Sequence, residues 1–292
     1  MPASPRPATR VEPERTLVLV AGAGRLPELV AASLERAGGS FKILGVRGFT
    51  DRPLRARADA IVDLLDVAAT LRILQEWGPA AVVPAGGVTR PSPAAIFNAA
   101  AAMRNREALR AIAGGGDDRL LRAVLALLEE NGHSVLGIHE VAPDLLSPEG
   151  RFGHHEPDAG ALASIATGQA LLSSLSPFDV GQAAVVAADR IVAVEGPEGT
   201  DRMLARARSI VRKPFGYGRP LPGTVLVKIA KVGQDLRIDL PTIGPRTIRA
   251  AAGAGCVGLA IQAAHTLVID RAETVAAADR YGLFLVGLGA QV

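Results

Sequence analysis

Six residues, Thr16-Leu-Val-Leu-Val-Ala21, run apolar into Gly22-Ala23-Gly24, and a helical pattern opens at once over residues 27–37 with Pro27 in its first turn. Proline costs nothing there, because that N–H has no partner in a helix anyway. A strand that ends on a glycine turn and passes directly into a helix is half of a β-α-β unit. Such units build parallel sheets flanked by helices. The pattern continues with strands over 41–46 and 59–62 and an amphipathic helix over 66–77, whose apolar side carries Leu71, Leu74 and Trp77. Residues 80–83 give a further strand, opening onto Pro84-Ala85-Gly86-Gly87. A long Ala-rich helix over 93–112, a helix over 119–130 headed by Asp117-Asp118 and ended by Asn131-Gly132, and a last strand over 133–138 complete the half. The pattern predicts a Rossmann-like N-terminal domain, residues 16–145, with a mostly parallel sheet.

The Pro-punctuated stretch 139–150 reads as a linker. Beyond it, helical patterns over 157–175, 197–210, 247–254 and 271–281 alternate with apolar runs over 224–228, 257–261, 266–269 and 283–286. Residues 182–187 and 191–195 flank Asp189 as a hairpin. The second domain, residues 150–292, is therefore predicted to be α/β with a mixed sheet. Residues 1–15 are rich in proline and charge, with no apolar core, and read as a disordered tail rather than a signal peptide.

Composition narrows the partners. The 292 residues are 49% hydrophobic but only 3% aromatic, so the cores are built from Ala, Val, Leu and Ile. A net charge of +3 is too small for a nucleic-acid surface, and aromatic stacking platforms are too few. No apolar run approaches the roughly 18 to 20 residues that cross a bilayer. The single cysteine, Cys256, sits in the apolar run AGCVGLAI, as a buried structural thiol does, and fits a reducing compartment. The expectation is a cytoplasmic protein, soluble or peripheral to a membrane.

Charge is concentrated in one place. Eleven basic residues fall between Arg202 and Arg249, with only Asp235 and Asp239 among them as acids. Lys228 and Lys231 stand just ahead of Gln234-Asp235. Two carboxylates in a basic segment suit a site that holds phosphate and also directs a proton or a metal. If residues 235–239 are extended, both carboxylates point to one side. They then bind a divalent cation through oxygen, or one serves as base beside the other. The competing interpretation is an edge strand with solvated charges, and the residues alone leave both open.

Other motifs carry less. Gly22 to Pro27 resembles the start of a dinucleotide fingerprint, but Pro27 replaces its third glycine and the second strand ends near Arg47 without an acid for a ribose diol. The turn is either a ligand contact of another kind or purely structural. Asp117-Asp118 is a helix cap or a site contact approached across the preceding glycines. His154-His155-Glu156 lacks a recognised metal-ligand spacing.

The block 228–245, KIAKVGQDLRIDLPTIGP, resembles the hallmark of the UDP-2,3-diacylglucosamine pyrophosphatase family of lipid A biosynthesis, the family without the metallophosphoesterase fold. Shorter matches follow in order: AGAGRLP at 21–27, AGGVTRP at 85–91, GDDRLL at 116–121, DVGQ at 179–182 and EGTDRML at 198–204. The resemblance implies hydrolysis of UDP-2,3-diacylglucosamine to UMP and 2,3-diacylglucosamine 1-phosphate, with a divalent cation, Mg²⁺ or Mn²⁺. It also implies a lipid cleft, a homodimer and contact with the inner-membrane surface. Carried onto this block, it places the family's essential Asp at Asp235, expected to be catalytic and a metal ligand; the chemistry of the same block adds Lys228 and Lys231 as a diphosphate clamp and Asp239 as catalytic support. The resemblance places substrate contacts at Gly22, Gly24, Leu26, Gly86, Arg90, Asp117, Asp118, Thr200, Asp201, Gln234 and Thr242. A non-catalytic module that binds nucleotide-sugar or lipid is the alternative.

Overall fold

The computed structural model describes residues 16–88, 117–178, 180–188, 190–212 and 221–289. The expected tail and the Ala-rich helix over 93–112 lie outside these. The chain divides between Asp144 and Leu145 into two compact units.

The first unit holds strands β1 (Thr16–Ala21), β2 (Phe41–Val46), β3 (Ala60–Val62), β4 (Ala80–Ala85) and β5 (Ser134–Val135) in the order β3-β2-β1-β4-β5. All pairings are parallel. Its helices are α1 (Arg25–Arg36), α2 (Arg52–Arg55), α3 (Val67–Glu76), α4 (Asp117–Glu130) and α5 (Ile138–Val141). Buried Val18, Leu19, Leu44, Val82 and Val83 form the middle of the sheet, as fully covered parallel strands require. Asp66 starts α3 by accepting the Ala69 N–H at 2.9 Å.

The turns after β1 and β4 interlock. Gly22 donates its N–H to the Ala85 carbonyl, and Ala23 and Gly87 exchange backbone hydrogen bonds of 2.8 and 3.0 Å. A Cβ at Gly22 would lie 2.7 Å from the Gly87 carbonyl oxygen. One at Gly86, whose φ is +88°, would lie 2.6 Å from the Ala23 oxygen and from Pro27 Cγ. Only glycine fits either place. Thr50 ties the turn after β2 to the same edge, donating to the Ala21 carbonyl at 2.6 Å, and the Gly24 N–H is taken by the Asp51 carboxylate at 2.9 Å.

The expected strand over 133–138 shrinks to Ser134–Val135. Glu140 accepts the Gly137 N–H at 2.8 Å and so caps α5, drawing residues 138–141 into a helical turn. The predicted linker stretch is accordingly structured, with α5 followed by a 3-10 turn over Pro143–Leu145.

The second unit is built on a six-stranded sheet of β6 (Gly150–Arg151), β7 (Ala183–Ala187), β8 (Arg190–Val194), β9 (Val225–Lys228), β11 (Gly258–Gln262) and β13 (Phe284–Leu288), ordered β6-β13-β11-β9-β7-β8. The β9-β11-β13 centre is parallel, and the remaining pairings are antiparallel. A parallel pair, β10 (Thr242–Ile243) and β12 (Leu267–Val268), stands apart. Helices are α6 (Ala159–Leu175), α7 (Thr200–Arg212), α8 (Pro245–Ala254) and α9 (Arg271–Arg280).

Period-two alternation sorts the sheet into two cores. Ala183, Val185, Leu226 and Leu259 face α7, α8 and α9, packing on Met203, Leu204, Ile248 and Ala278. Ala184, Val186, Val225, Val227 and Ala260 face α6 through Ile165 and Leu172. Cys256 is buried in the first of these cores, where desolvation pushes its thiol up to about 12. Among the described residues no helix is long and apolar enough to cross a membrane.

Candidate active site

The alternation that packs β9 also sets its last residue. Leu226 lies in the core under α7, so Lys228, two residues on, points to the same face at the point where that helix begins. Lys228 is 7% exposed. Its side chain lines a pocket of about 350 Å³, with Gly181, Gln182, Glu195, Gly196, Lys231, Asp239, Leu240 and Thr242. The pocket lies at the carboxyl end of parallel β9, where ligands bind in α/β sheets.

Hydrogen bonds fix almost every polar group there. Lys228 Nζ donates to Thr200 Oγ1 at 2.8 Å, and Thr200 Oγ1 donates to Glu195 Oε1 at 2.7 Å. The other Glu195 oxygen accepts the Gln182 backbone N–H at 3.1 Å. Asp239 Oδ2 accepts the Gln182 side-chain amide at 2.7 Å and the Gln234 amide as well. Gln234 Oε1 in turn accepts the Lys231 N–H at 2.9 Å. Arg246 pairs with Asp201 at 2.7 Å, joining the first turns of α7 and α8.

Burial pushes the Lys228 ammonium below its ordinary value of 10.5, and the charges of Glu195, Asp239 and Asp201 oppose that fall. Two lysines and two carboxylates line the pocket, so its lining is close to neutral when all four are charged.

Residues 229–241 are a loop of turns, not the extended segment considered from sequence. The Asp235 carbonyl accepts the Ile238 and Asp239 N–H groups, which folds 235–239 back on itself. The two carboxylates consequently have different surroundings. Asp239 lines the pocket under its two amides. Asp235 receives Arg237 in a forked pair, Nε to Oδ1 at 2.9 Å and Nη2 to Oδ2 at 2.7 Å, and is not among the pocket-lining residues.

Sequence models of two families match the chain: the LpxI N-terminal domain over residues 16–145 and the LpxI C-terminal domain over residues 148–286. A protein of Caulobacter vibrioides, UDP-2,3-diacylglucosamine pyrophosphatase LpxI, is 37% identical over 277 residues, which span 95% of this chain and 99% of that protein. The chain belongs to the LpxI family. Every residue lining the pocket falls inside the LpxI C-terminal match.

Of the residues named from sequence, this LpxI-family structure gathers Lys228, Lys231, Asp239 and Thr242 in the pocket lining. Thr200 and Gln234 are bonded to members of that lining, and Asp201 is paired with Arg246 beside Thr200. Gly22, Gly24, Leu26 and Gly86 belong to the first unit, at the clasped turns and the opening of α1. Asp117 and Asp118 start α4, and Arg90 lies outside the described residues. Elsewhere, His154 donates its Nδ1–H to Asp279 at 2.6 Å and Glu156 pairs with Arg151. Among the described residues no three His, Cys, Asp or Glu are grouped to hold a metal.

Three contributors escaped the sequence. Gln182 stood in the DVGQ match without a role, Glu195 was read only as the end of a hairpin strand, and Arg237 was one base among eleven. The available signal for Glu195 was an acid directly after the apolar run of β8 and before a glycine. A carboxylate in that position is desolvated and needs partners.

Proposed function

We propose that this chain hydrolyses the pyrophosphate bond of UDP-2,3-diacylglucosamine, releasing UMP and 2,3-diacylglucosamine 1-phosphate in lipid A biosynthesis. Near full-length similarity to a pyrophosphatase of that name supports the substrate. The observation that carries the chemistry is the convergence of buried Lys228, Lys231 and amide-held Asp239 on one pocket.

Water oxygen forms a bond to one phosphorus, the bridging P–O bond breaks, and its electron pair leaves on the other phosphate. Such a reaction needs alignment and charge neutralisation more than a protein nucleophile. Lys228 and Lys231 bind the phosphate oxygens. Asp239, with one oxygen pinned by Gln182 and Gln234, is oriented to take the proton of the attacking water. The Arg237 fork holds Asp235 in a single orientation.

A divalent cation, Mg²⁺ or Mn²⁺, is part of this proposal, with Asp235 as its protein ligand. A carboxylate is the right kind of donor, but both Asp235 oxygens accept from Arg237 and Asp235 does not line the pocket, so a cation would have to displace that fork. Hard cations of this kind are commonly held by one or two carboxylates, with substrate phosphates and water completing the shell. The near-neutral pocket lining also leaves a diphosphate short of countercharge. When bound, the ion supplies that charge. The acyl chains of the substrate support contact with the inner-membrane surface, and the family resemblance adds a homodimer to the proposal.

The test incubates the protein with UDP-2,3-diacylglucosamine and Mg²⁺ or Mn²⁺, with and without EDTA. UMP and the acylated sugar phosphate should accumulate only when metal is present. Tight binding of substrate with no product under any condition selects a non-catalytic binding module instead.

A further inference from the structure

We propose that Glu195 and Thr200 are positioning residues that aim the Lys228 ammonium into the pocket. This rests on reading the pocket as the site of diphosphate hydrolysis, and it assigns a task to a buried acid which that chemistry does not itself use.

The chain of bonds has one direction. A threonine hydroxyl owns a single proton. Here that proton goes to Glu195 Oε1 at 2.7 Å, so the oxygen meets Lys228 Nζ with a lone pair, and the ammonium donates to it at 2.8 Å. Lysine is a flexible four-carbon stem ending in three rotatable donors. Fixing one donor in a definite direction sets the axes of the other two.

Glu195 is held as firmly as it holds. It is 9% exposed, and its second oxygen takes the Gln182 N–H at 3.1 Å. Its side chain lies folded over Gly181, where a Cβ would come within 2.6 Å of Glu195 Cβ and 2.7 Å of its Cγ. The glutamine of the DVGQ segment, through its N–H, and the threonine of the EGTDRML segment thereby meet on one carboxylate. A buried acid costs stability unless its lone pairs are satisfied. Here both oxygens are bonded, and the arrangement delivers a buried cation to the pocket.

The charged groups facing Lys228 are Glu195 beyond β8, Asp201 in α7, and Asp239 and Lys231 in the following loop. Its strand neighbours, Ala183 on β7 and Ile261 on β11, carry no charge. Glu195 is the acid joined to it through a hydroxyl bridge, so it governs direction as well as charge.

The experiment compares wild type, Thr200→Val, Thr200→Ser and Glu195→Gln in steady-state hydrolysis of UDP-2,3-diacylglucosamine with Mg²⁺, alongside thermal melting. Wild type that releases no UMP refutes the hydrolase itself and is recognised before any variant is compared. With wild type active, Thr200→Val keeps the shape and removes the bridge. Its kcat should fall about ten-fold or more, the scale of one hydrogen bond to a charged group, with KM within about three-fold; Tm should fall too, because buried Glu195 Oε1 loses its partner, but the kcat loss should persist at temperatures where the variant is fully folded. Thr200→Ser should recover most of that loss. Wild-type kcat in Thr200→Val, or equal losses in Val and Ser, overturns the assignment. Should Thr200→Val fail to fold, Glu195→Gln decides: its alkaline limb of kcat/KM should move to lower pH, because Lys228 loses an opposing negative charge, and an unmoved limb rejects the proposal.

Discussion

Gln182 donates its side-chain amide to Asp239 at 2.7 Å across 57 residues of chain, joining the start of β7 to the loop that follows β9. The bond holds the pocket carboxylate in one rotamer, and the Gln234 amide completes the clamp on the same oxygen. Gln182→Leu should lower kcat about ten-fold, the scale of a lost bond to a charged acceptor, with a smaller change in KM. Gln182→Glu is more telling. A second carboxylate facing Asp239 disfavours its ionised form, so the acid limb of the pH–rate profile should move to higher pH. An unmoved limb would remove Asp239 from the proton-accepting role.

Asp235 is the residue that the family resemblance selects, yet the Arg237 fork already occupies it. Asp235→Ala should abolish turnover while the melting curve stays near wild type, since a partly exposed pair contributes only about 1 kcal/mol. Near wild-type activity would remove Asp235 as the metal ligand and leave Asp239 as the acid the reaction uses. Arg237→Leu frees both Asp235 oxygens and should lower the Mg²⁺ concentration for half-maximal rate, with part of the rate lost as Asp235 loses its fixed orientation.

Burial lowers the Lys228 ammonium below 10.5, against the opposing charges of Glu195, Asp239 and Asp201. If it binds phosphate in its charged form, activity should decline on the alkaline side before free lysine would lose its proton. Lys228→Arg stays protonated throughout that range and should lose this limb, at some cost in rate from its different shape. An identical limb in wild type and Lys228→Arg would show that another group titrates there.

Gly181→Ala introduces a Cβ within 2.6 Å of Glu195 Cβ, with the Glu195 backbone adjacent. The variant should melt lower, by about 1–3 kcal/mol of stability, the range for overpacking a filled site. Its kcat should fall further than the melting shift accounts for at assay temperature. Normal kcat together with a lowered Tm would separate Gly181 from the site.

The fold was legible because its signals are local. The glycine turn after TLVLVA, the helical spacing over 66–77 and the apolar run over 224–228 each specify backbone within a few residues, and the parallel sheet follows. The second sheet was legible as mixed because residues 182–195 are patterned as a hairpin, and β7 and β8 do pair antiparallel. The site was legible in composition but not in conformation. Residues 235–239 show alternating charge and apolar side chains, as an edge strand would, whereas the Asp235 carbonyl collects two later N–H groups and makes a turn. No local pattern could join Gln182 to Asp239 or Glu195 to Thr200 and Lys228, because those links exist only once β7, β8 and β9 are side by side.

The clasp between Ala23 and Gly87 bears on how damage to the first unit would be observed. It bridges the ends of β1 and β4, neighbours at the centre of that sheet, and neither Gly22 nor Gly86 has space beside it for one more carbon. A bulkier residue at either position can be accommodated only by parting the strands themselves. Lesions at these turns would therefore spread through the whole sheet and register as lost protein rather than as weakened binding.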